Sequence, residues 1–353
     1  MKVLFFTEGT RTSPASRIRV YEYLDRFSVS WNLTARTVSF TSDSYCRMIV
    51  AGEPSPWWRK VLEKFYQLRA IALLLANAPE ADVVFIQRVL LPVPLQRLLW
   101  LLNRNQVYDF DDAVYLGKPG REKRFAFQLS CAARVIAVSR VAADEALTRG
   151  AEANKVAVLP SPVDTGAYSM EEKRKEKTFY VGWIGSPATT GYLEELWPQL
   201  AAFAENHPEI RFLFIGARPF DTGALSSRTT FEPWSPKVET ESLCRLDVGL
   251  MPLEDDPWCR GKGGFKLIQY MAAGAACLAS PVGANLEIVE HGRTGYFVRK
   301  KEEWQVLLAK LLEDRELCRK LRRASRQRAR NHYDYIITAP ALYRLLEEAA
   351  KQV

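Results

Sequence analysis

The run Gly261-Lys262-Gly263-Gly264-Phe265-Lys266-Leu267-Ile268-Gln269-Tyr270-Met271-Ala272-Ala273-Gly274 concentrates more chemistry than any other stretch of the chain. Glycines and two lysines lead into what reads as a short helix. Exposed backbone N–H groups, the positive end of a helix and two ammonium groups are the ingredients of a site for a phosphate-bearing ligand. An apolar strand is expected at Ala276–Ala279, then a Ser280-Pro281-Val282-Gly283 turn and a helix starting within Asn285–Glu290. That succession is how an α/β domain presents a ligand-facing edge.

A second concentration is Tyr108-Asp109-Phe110-Asp111-Asp112. Three carboxylates within four residues repel one another unless a cation, an arginine or sugar hydroxyls compensate. Asp109 and Asp111 imitate a DxD metal motif, but DxD is common by chance, and no metal is expected here. Arg17 and Arg19 follow the loop Gly9–Ser16 and can reach an anionic ligand, although salt bridges on an ordinary helix account for them equally well. That loop is not GxGxxG, which weakens a dinucleotide reading, and no cofactor is expected. Cys259 and Cys277 have no histidine placed beside them by sequence, so neither is read as a nucleophile.

These residues must be positioned by a scaffold, and the apolar runs supply one. Strands are expected at Val3–Phe6, Leu33–Val38, Val83–Ile86, Gln106–Tyr108, Val135–Val138 and Val156–Leu159, with helices near Ser16–Phe27 and Arg140–Thr148. The charged run Met170–Lys177 has almost nothing to bury and reads as a solvated linker. Beyond it the pattern restarts: Thr178–Val181 and Gly182–Gly185, a helix from about Tyr192 to Ala204, then strands at Arg211–Ile215 and Val248–Met251. The expectation is an α/β protein of two tandem parallel-sheet domains, residues 1–168 and 169–335. Residues 336–353 form a last helix returning to the first domain.

At 353 residues and 48% hydrophobic content, the chain can bury two ordinary cores. Six scattered cysteines without a CxxC pair give little support to a disulfide framework, and a reducing cytoplasm is the simpler setting. Val3–Phe6 is too short for the apolar region of a signal peptide, and no run reaches the roughly 18 apolar residues of a spanning helix. The net charge of +8 is concentrated in the first half. Neither a lysine-rich tail nor a recognisable nucleic-acid module accompanies it, so no nucleic-acid partner is expected.

Taken with its motifs, the chain resembles the retaining, nucleotide-sugar-dependent glycosyltransferases of family 4, or group 1. The resemblance runs through Val3–Phe6 with its basic loop, Arg134–Ser139 and Val181–Gly185, and is most specific in KLIQYMAAG (266–274), SPVG (280–283) and EIVEHGRTGYFV (287–298). It implies the GT-B architecture: two Rossmann-like domains facing across a cleft, with a C-terminal helix packing back on the first. It also implies a nucleoside diphosphate sugar donor held mainly by the second domain and a glycan or lipid-linked acceptor held mainly by the first. Lys262 and Lys266 are the first choices for the departing diphosphate. Gly185, Ser186 and Thr190 follow as donor contacts, the alternative being that Gly185–Thr190 is only a strand-to-helix turn. Glu287 faces donor hydroxyls or simply favours its helix dipole. Asp111 or Asp112 orients the acceptor or the transferred sugar, with Asp109, Arg17 and Arg19 on the acceptor or phosphate side.

The sequence departs from the family pattern. Of its usual two glutamates around the helix, the second position holds Gln269, which can still bond a ribose hydroxyl, and the first holds Gly261, which has no side chain. Asp255 or Asp256 is the nearest replacement, with turn capping at least as good an account. The usual arginine and lysine after the opening strand of domain two are absent. All three histidines, at 207, 291 and 332, lie outside the first domain. The leaving phosphate then takes the acceptor's proton, as the family's mechanism implies. Pro56-Trp57-Trp58-Arg59-Lys60, with the apolar stretch to Ala76, and Leu98–Leu102 between Arg97 and Arg104 suggest contact with an anionic membrane, core packing being the alternative. The expected place is the cytoplasm, or the cytoplasmic face of the inner membrane. The expected role is a glycosyltransferase of envelope polysaccharide or glycolipid synthesis. The competing readings are a catalytically inactive nucleotide-sugar-binding or scaffold protein, and a nucleotide-sugar epimerase.

Overall fold

A computed structural model describes residues 1–169 and 178–351. The linker expectation at 170–177 lies outside the described residues. The first compact unit comprises Met1–Pro162, Arg260–Gly263 and the segment from Tyr335, and the second comprises Val163–Cys259 and Gly264–Asp334. The change of unit thus falls at Val163, ahead of the expected 168/169. Two interactions bind Val163 to the second unit: its N–H donates to the Tyr333 carbonyl at 2.7 Å, and it pairs with Asp334.

In the first unit, β1 (Lys2–Thr7), β2 (Thr34–Ser39), β3 (Val83–Gln87), β4 (Gln106–Phe110), β5 (Arg134–Ala137) and β6 (Val156–Val158) form one sheet in the order β2-β1-β3-β4-β5-β6. Every pairing is parallel. β3 and β4 are buried along their whole length, because helices cover both faces of the sheet. On one face Leu4, Phe6, Val84, Ile86 and Tyr108 pack against Leu74, Leu99 and Phe125 of flanking helices. On the other, Val3, Phe5, Phe85 and Val107 meet Tyr335, Ala339, Leu342 and Leu346 of the last helix, Tyr335–Ala350. That helix is fixed at its start: the Tyr335 hydroxyl lies 2.8 Å from Glu22 Oε2, and Tyr23 Oη donates to Thr338 Oγ1 at 2.8 Å.

The second unit repeats the principle. Its strands are β7 (Phe179–Ile184), β8 (Ile210–Ile215), β9 (Thr229–Glu232), β10 (Val248–Met251), β11 (Ala276–Ala279) and β12 (Gly295–Phe297). They lie in the order β12-β11-β10-β7-β8-β9, all parallel. One face buries Trp183, Trp197, Phe212 and Phe214, and the other carries the helix Phe265–Ala272, whose Leu267, Ile268, Tyr270 and Met271 are fully buried. Both sheets are doubly wound, so each has one place where the strand order reverses: between β1 and β3, and between β7 and β10.

Where a plain helix near Ser16–Phe27 is expected, the structure has a turn of α-helix, a π-helix over Arg17–Tyr21 and an α-helix over Glu22–Phe27. The π segment contains Arg19, whose guanidinium points into the interior. No described helix is long and apolar enough to cross a membrane.

None of the six cysteines forms a disulfide, and all but Cys244 are buried. Burial pushes the Cys277 thiol up to about 12 and raises those of Cys46 and Cys131. Alkylation of the native protein at pH 8, read by peptide mass, is therefore expected to modify Cys244 first and Cys277 only on unfolding.

Candidate active site

At the reversal point of the first unit, β1 and β3 stay paired through Phe6 and Ile86. Beyond them Gln87, fully buried, takes over: its Oε1 accepts from Glu8 N at 3.0 Å and from Ser16 Oγ at 2.8 Å, while Gly9 N donates to Ser16 Oγ at 3.0 Å. Among the described residues Gln87 Nε2 has no hydrogen-bond partner. The next residue, Arg88, has φ of +63°, a left-handed conformation costly for a side chain with a Cβ and found mostly where function demands it. Its N–H donates to the Asp109 carbonyl at 2.8 Å.

The Arg88 guanidinium gathers three carboxylates: Glu8 Oε2 at 3.3 Å, Asp111 Oδ1 at 3.3 Å and Asp112 Oδ2 at 3.2 Å. Their field holds Arg88 protonated despite its burial. Burial raises the Asp112 carboxyl, against the opposing pull of Arg88 and Lys262. Among the described residues Asp111 Oδ1 and the Tyr108 hydroxyl are buried without a hydrogen bond. The result is an edge of fixed charges and unfilled hydrogen-bonding capacity, suited to a polyhydroxylated molecule.

Arg19 and Asp109 are placed otherwise than expected. They are 3% and 1% exposed and are spent on each other: Arg19 Nε donates to Asp109 Oδ2 at 2.8 Å and Oδ1 at 3.0 Å, Nη2 also donates to Oδ1, and Nη1 donates to the Leu159 carbonyl at 3.1 Å. This buried fork ties the first helix to β4 and to Leu159, just past β6, and leaves neither group a face for a ligand, which corrects the acceptor-side or phosphate-side role. Arg17 lies 3.4 Å from Glu22, as an ordinary helix ion pair would. Asp109 and Asp111 therefore face two different arginines, and among the described residues no group of His, Cys, Asp and Glu is arranged to hold a metal ion.

The glycine-rich run divides by function. A Cβ on Gly261 would lie 2.5 Å from Ala113 Cβ, and one on Gly263 would lie 2.7 Å from Val138 Cγ2, so both are glycines to let this segment of the first unit pack closely against the ends of its sheet. Gly264 is a glycine because its φ is +66° where the chain turns into the helix Phe265–Ala272. Lys262 belongs to the first unit, where its charge acts on Asp112, and Lys266 belongs to the second.

In the second unit the reversal point is held apart by Tyr270. β7 and β10 pair only at Val181–Val248 and Gly182–Gly249. Past that register the Tyr270 hydroxyl accepts from Ile184 N at 3.0 Å and donates to the Leu250 carbonyl at 3.0 Å. Its ring fits because Gly249 lacks a Cβ, which would lie 2.3 Å from it. At the carboxyl end of β7, Lys266 Nζ stands 4.0 Å from the centroid of the Trp183 ring and 3.5 Å from Thr189 Oγ1. A Cβ on Gly185 would lie 2.2 Å from Trp183 and 2.6 Å from that ammonium. Gly185, Trp183, Thr189 and Lys266 thus form one cationic corner beside a helix N-terminus.

The remaining expected donor contacts are distributed around this corner. Ser186 is exposed, and its carbonyl accepts from Thr189 N at 2.9 Å, closing a 3₁₀ turn over Pro187–Thr189. Thr190 is fully buried and its Oγ1 accepts from Arg218 N at 2.9 Å, so its hydroxyl joins this turn to the loop after β8 and is not turned out to a ligand. Gln269 is buried in the helix. Glu287 is half-buried in the short helix Asn285–Ile288, with its carbonyl held by Arg328 Nη2 at 2.7 Å. Arg88, Glu8 and Gln87 are the residues that sequence reasoning missed. Their signal was position alone, at the ends of strands flanking an order reversal.

A double-mutant cycle tests the frame assigned to Arg19 and Asp109. Arg19→Met and Asp109→Leu singly are each expected to lower stability by about 3–5 kcal/mol in urea, and the double variant by less than the sum, because each single change strands a buried charge.

Residues 176–314 match the family model described as glycosyl transferases group 1. No curated protein matches the chain. Among solved structures, Anabaena Alr3699/HepE in complex with UDP and glucose is 14% identical with a TM-score of 0.72, over 98% of this chain and 99% of that one. A glycosyltransferase from Rickettsia africae ESF-5 is 13% identical with a TM-score of 0.72, over 100% and 99%. Sucrose-phosphate synthase from Thermosynechococcus elongatus is 14% identical with a TM-score of 0.70, over 99% and 98%. At these identities the likeness is one of fold: the chain has the GT-B architecture of two Rossmann-like domains, with its group 1 match in the second.

Proposed function

We propose that the protein is a glycosyltransferase of the hexosyltransferase type, moving a sugar from a nucleoside diphosphate sugar to a hydroxyl of a glycan or lipid-linked acceptor with retention of configuration. The observation that carries this reading is the corner at the end of β7, where Lys266 is held over Trp183 and beside Thr189 at a glycine too crowded for any side chain. Breaking the glycosidic bond leaves negative charge on the diphosphate. A pre-positioned ammonium and a helix N-terminus stabilise that charge without reorganising during the reaction. The group 1 match of residues 176–314 supports the same assignment. The fold neighbour that holds UDP and glucose makes a UDP-sugar the first donor to test.

Asp111 and Asp112, steadied by Arg88, orient acceptor hydroxyls, and Lys262 offsets the charge of Asp112. The acceptor's proton passes to the departing phosphate, so no side-chain base is required. The cellular setting in this reading is envelope polysaccharide or glycolipid synthesis at the cytoplasmic face of the inner membrane. One observation favours the alternative of an inactive donor-binding protein: Gly261 is packed against Ala113, so the position where family members carry a glutamate cannot take one without displacement.

Calorimetry with UDP-, GDP-, ADP- and dTDP-sugars is expected to find one saturating donor. Lys266→Ala should weaken its binding at least tenfold, and Lys266→Arg should restore part of it. Turnover of that donor with a lipid extract separates transferase from inactive binder. Gly261→Glu is expected to lower both stability and donor turnover, and a gain in turnover would contradict the packing argument.

A further inference from the structure

The helix Trp57–Asn77 has two apolar faces, and the fold uses one of them. Its inner face buries Ala70 and Leu74 in the first core and, through Tyr66 and Leu73, lines a cavity of about 200 Å³ with Tyr21 and Ser39. Its acidic residue, Glu63, is also turned inward, where it accepts from Ser42 N at 3.0 Å. The outer face carries Trp58, Leu62 and Phe65 at i, i+4 and i+7, continued by Trp57 and Leu68, with Trp57 77%, Phe65 66% and Leu68 63% exposed. The neighbouring helix Val93–Leu102 adds Leu101, 65% exposed. This apolar strip is left in water by a helix that is already anchored from its other side.

Apart from the inward-turned Glu63, the charged residues of the two helices are all basic. Arg59, Lys60, Lys64 and Arg69 are on the helix itself, Arg97 is the one charged residue of its neighbour, and Arg104 stacks on Trp100 at 4.6 Å. Tryptophans beside cations, at one end of a helix too polar to span, match the chemistry of a bilayer interface: rings at headgroup depth, ammonium groups among anionic phosphates, aliphatic side chains below. We infer that this face of the first unit docks on an anionic bilayer, inserting Trp57, Trp58, Leu62, Phe65 and Leu68. The inference rests on the reading above for what the docking serves, which is delivery of a lipid-linked acceptor to the first unit.

Co-sedimentation with vesicles tests it. The full chain is expected to bind phosphatidylglycerol–phosphatidylcholine vesicles and to bind pure phosphatidylcholine at least tenfold more weakly. Trp58→Ser/Phe65→Ser and Lys60→Glu/Lys64→Glu should each lower the partition coefficient at least tenfold while leaving the circular dichroism spectrum and UDP-sugar affinity unchanged. Equal binding to neutral and anionic vesicles, or unchanged partitioning of Trp58→Ser/Phe65→Ser, would overturn the inference. So would light scattering showing a dimer in solution that this variant converts to monomer, because the strip would then be covered by a second copy. Failure of vesicle binding with nucleotide-sugar binding intact removes the docking surface alone, and vesicle binding without affinity for any nucleotide sugar removes the transferase reading alone.

Discussion

Parallel strands that part at a reversal of order leave backbone donors and acceptors with no strand opposite them, and a buried orphan of that kind costs about 1–3 kcal/mol. Each unit answers with a single buried polar side chain. In the first, Gln87 takes the Glu8 N–H and the Ser16 hydroxyl beyond the last β1–β3 pair. In the second, the Tyr270 hydroxyl joins Ile184 N–H to the Leu250 carbonyl beyond the last β7–β10 pair. The functional edges are consequences of this device. Because Tyr270 keeps β7 and β10 apart, Gly249 must be a glycine, the loop after Ile184 is free to turn at Gly185, and Lys266, four residues before Tyr270 on the same helix, is delivered above Trp183. Because Gln87 closes the end of β3, Arg88 is forced into its left-handed conformation directly over the acidic loop.

Charge is arranged in two tiers. Arg19 and Asp109 form a fork so deeply buried that it serves only as a brace, joining the π-helical turn to β4. Arg88 with Glu8, Asp111 and Asp112 lies nearer the surface, and its unfilled hydrogen-bonding capacity suits a polyhydroxylated partner. The cation–aromatic pairing in the second unit has a different use: the Trp183 ring fixes the Lys266 ammonium 4.0 Å from its centroid at the carboxyl end of β7.

Much of the scaffold was legible because buried parallel strands are short apolar runs bounded by turn residues. β3 lies one residue from its expected end, β10 and β11 lie at their expected residues, and the helix Arg140–Thr148 does too. β9 and β12 were not legible: Thr229–Glu232 and Gly295–Phe297 are too short to show a period and exist because β8 and β11 offer them an edge. The π turn had no signal, since it is set by where Arg19 must point. The glycine-rich run was legible as important but not in its division of labour. Two of its glycines answer to Ala113 and Val138, far away in sequence. Arg19 and Asp109 looked like ligand groups because sequence shows charge without showing burial. Thr190 looked like one because sequence shows a hydroxyl without showing the Arg218 amide that occupies it.

In the proposed function a nucleotide sugar sits at the reversal point of the second unit. Hydrogen–deuterium exchange with and without saturating UDP-sugar tests it most directly. Added protection is expected in the peptides covering Gly185–Gly191 and Gly264–Gln269, with β8 and β9 unchanged. Protection confined to other segments at demonstrated saturation would contradict it.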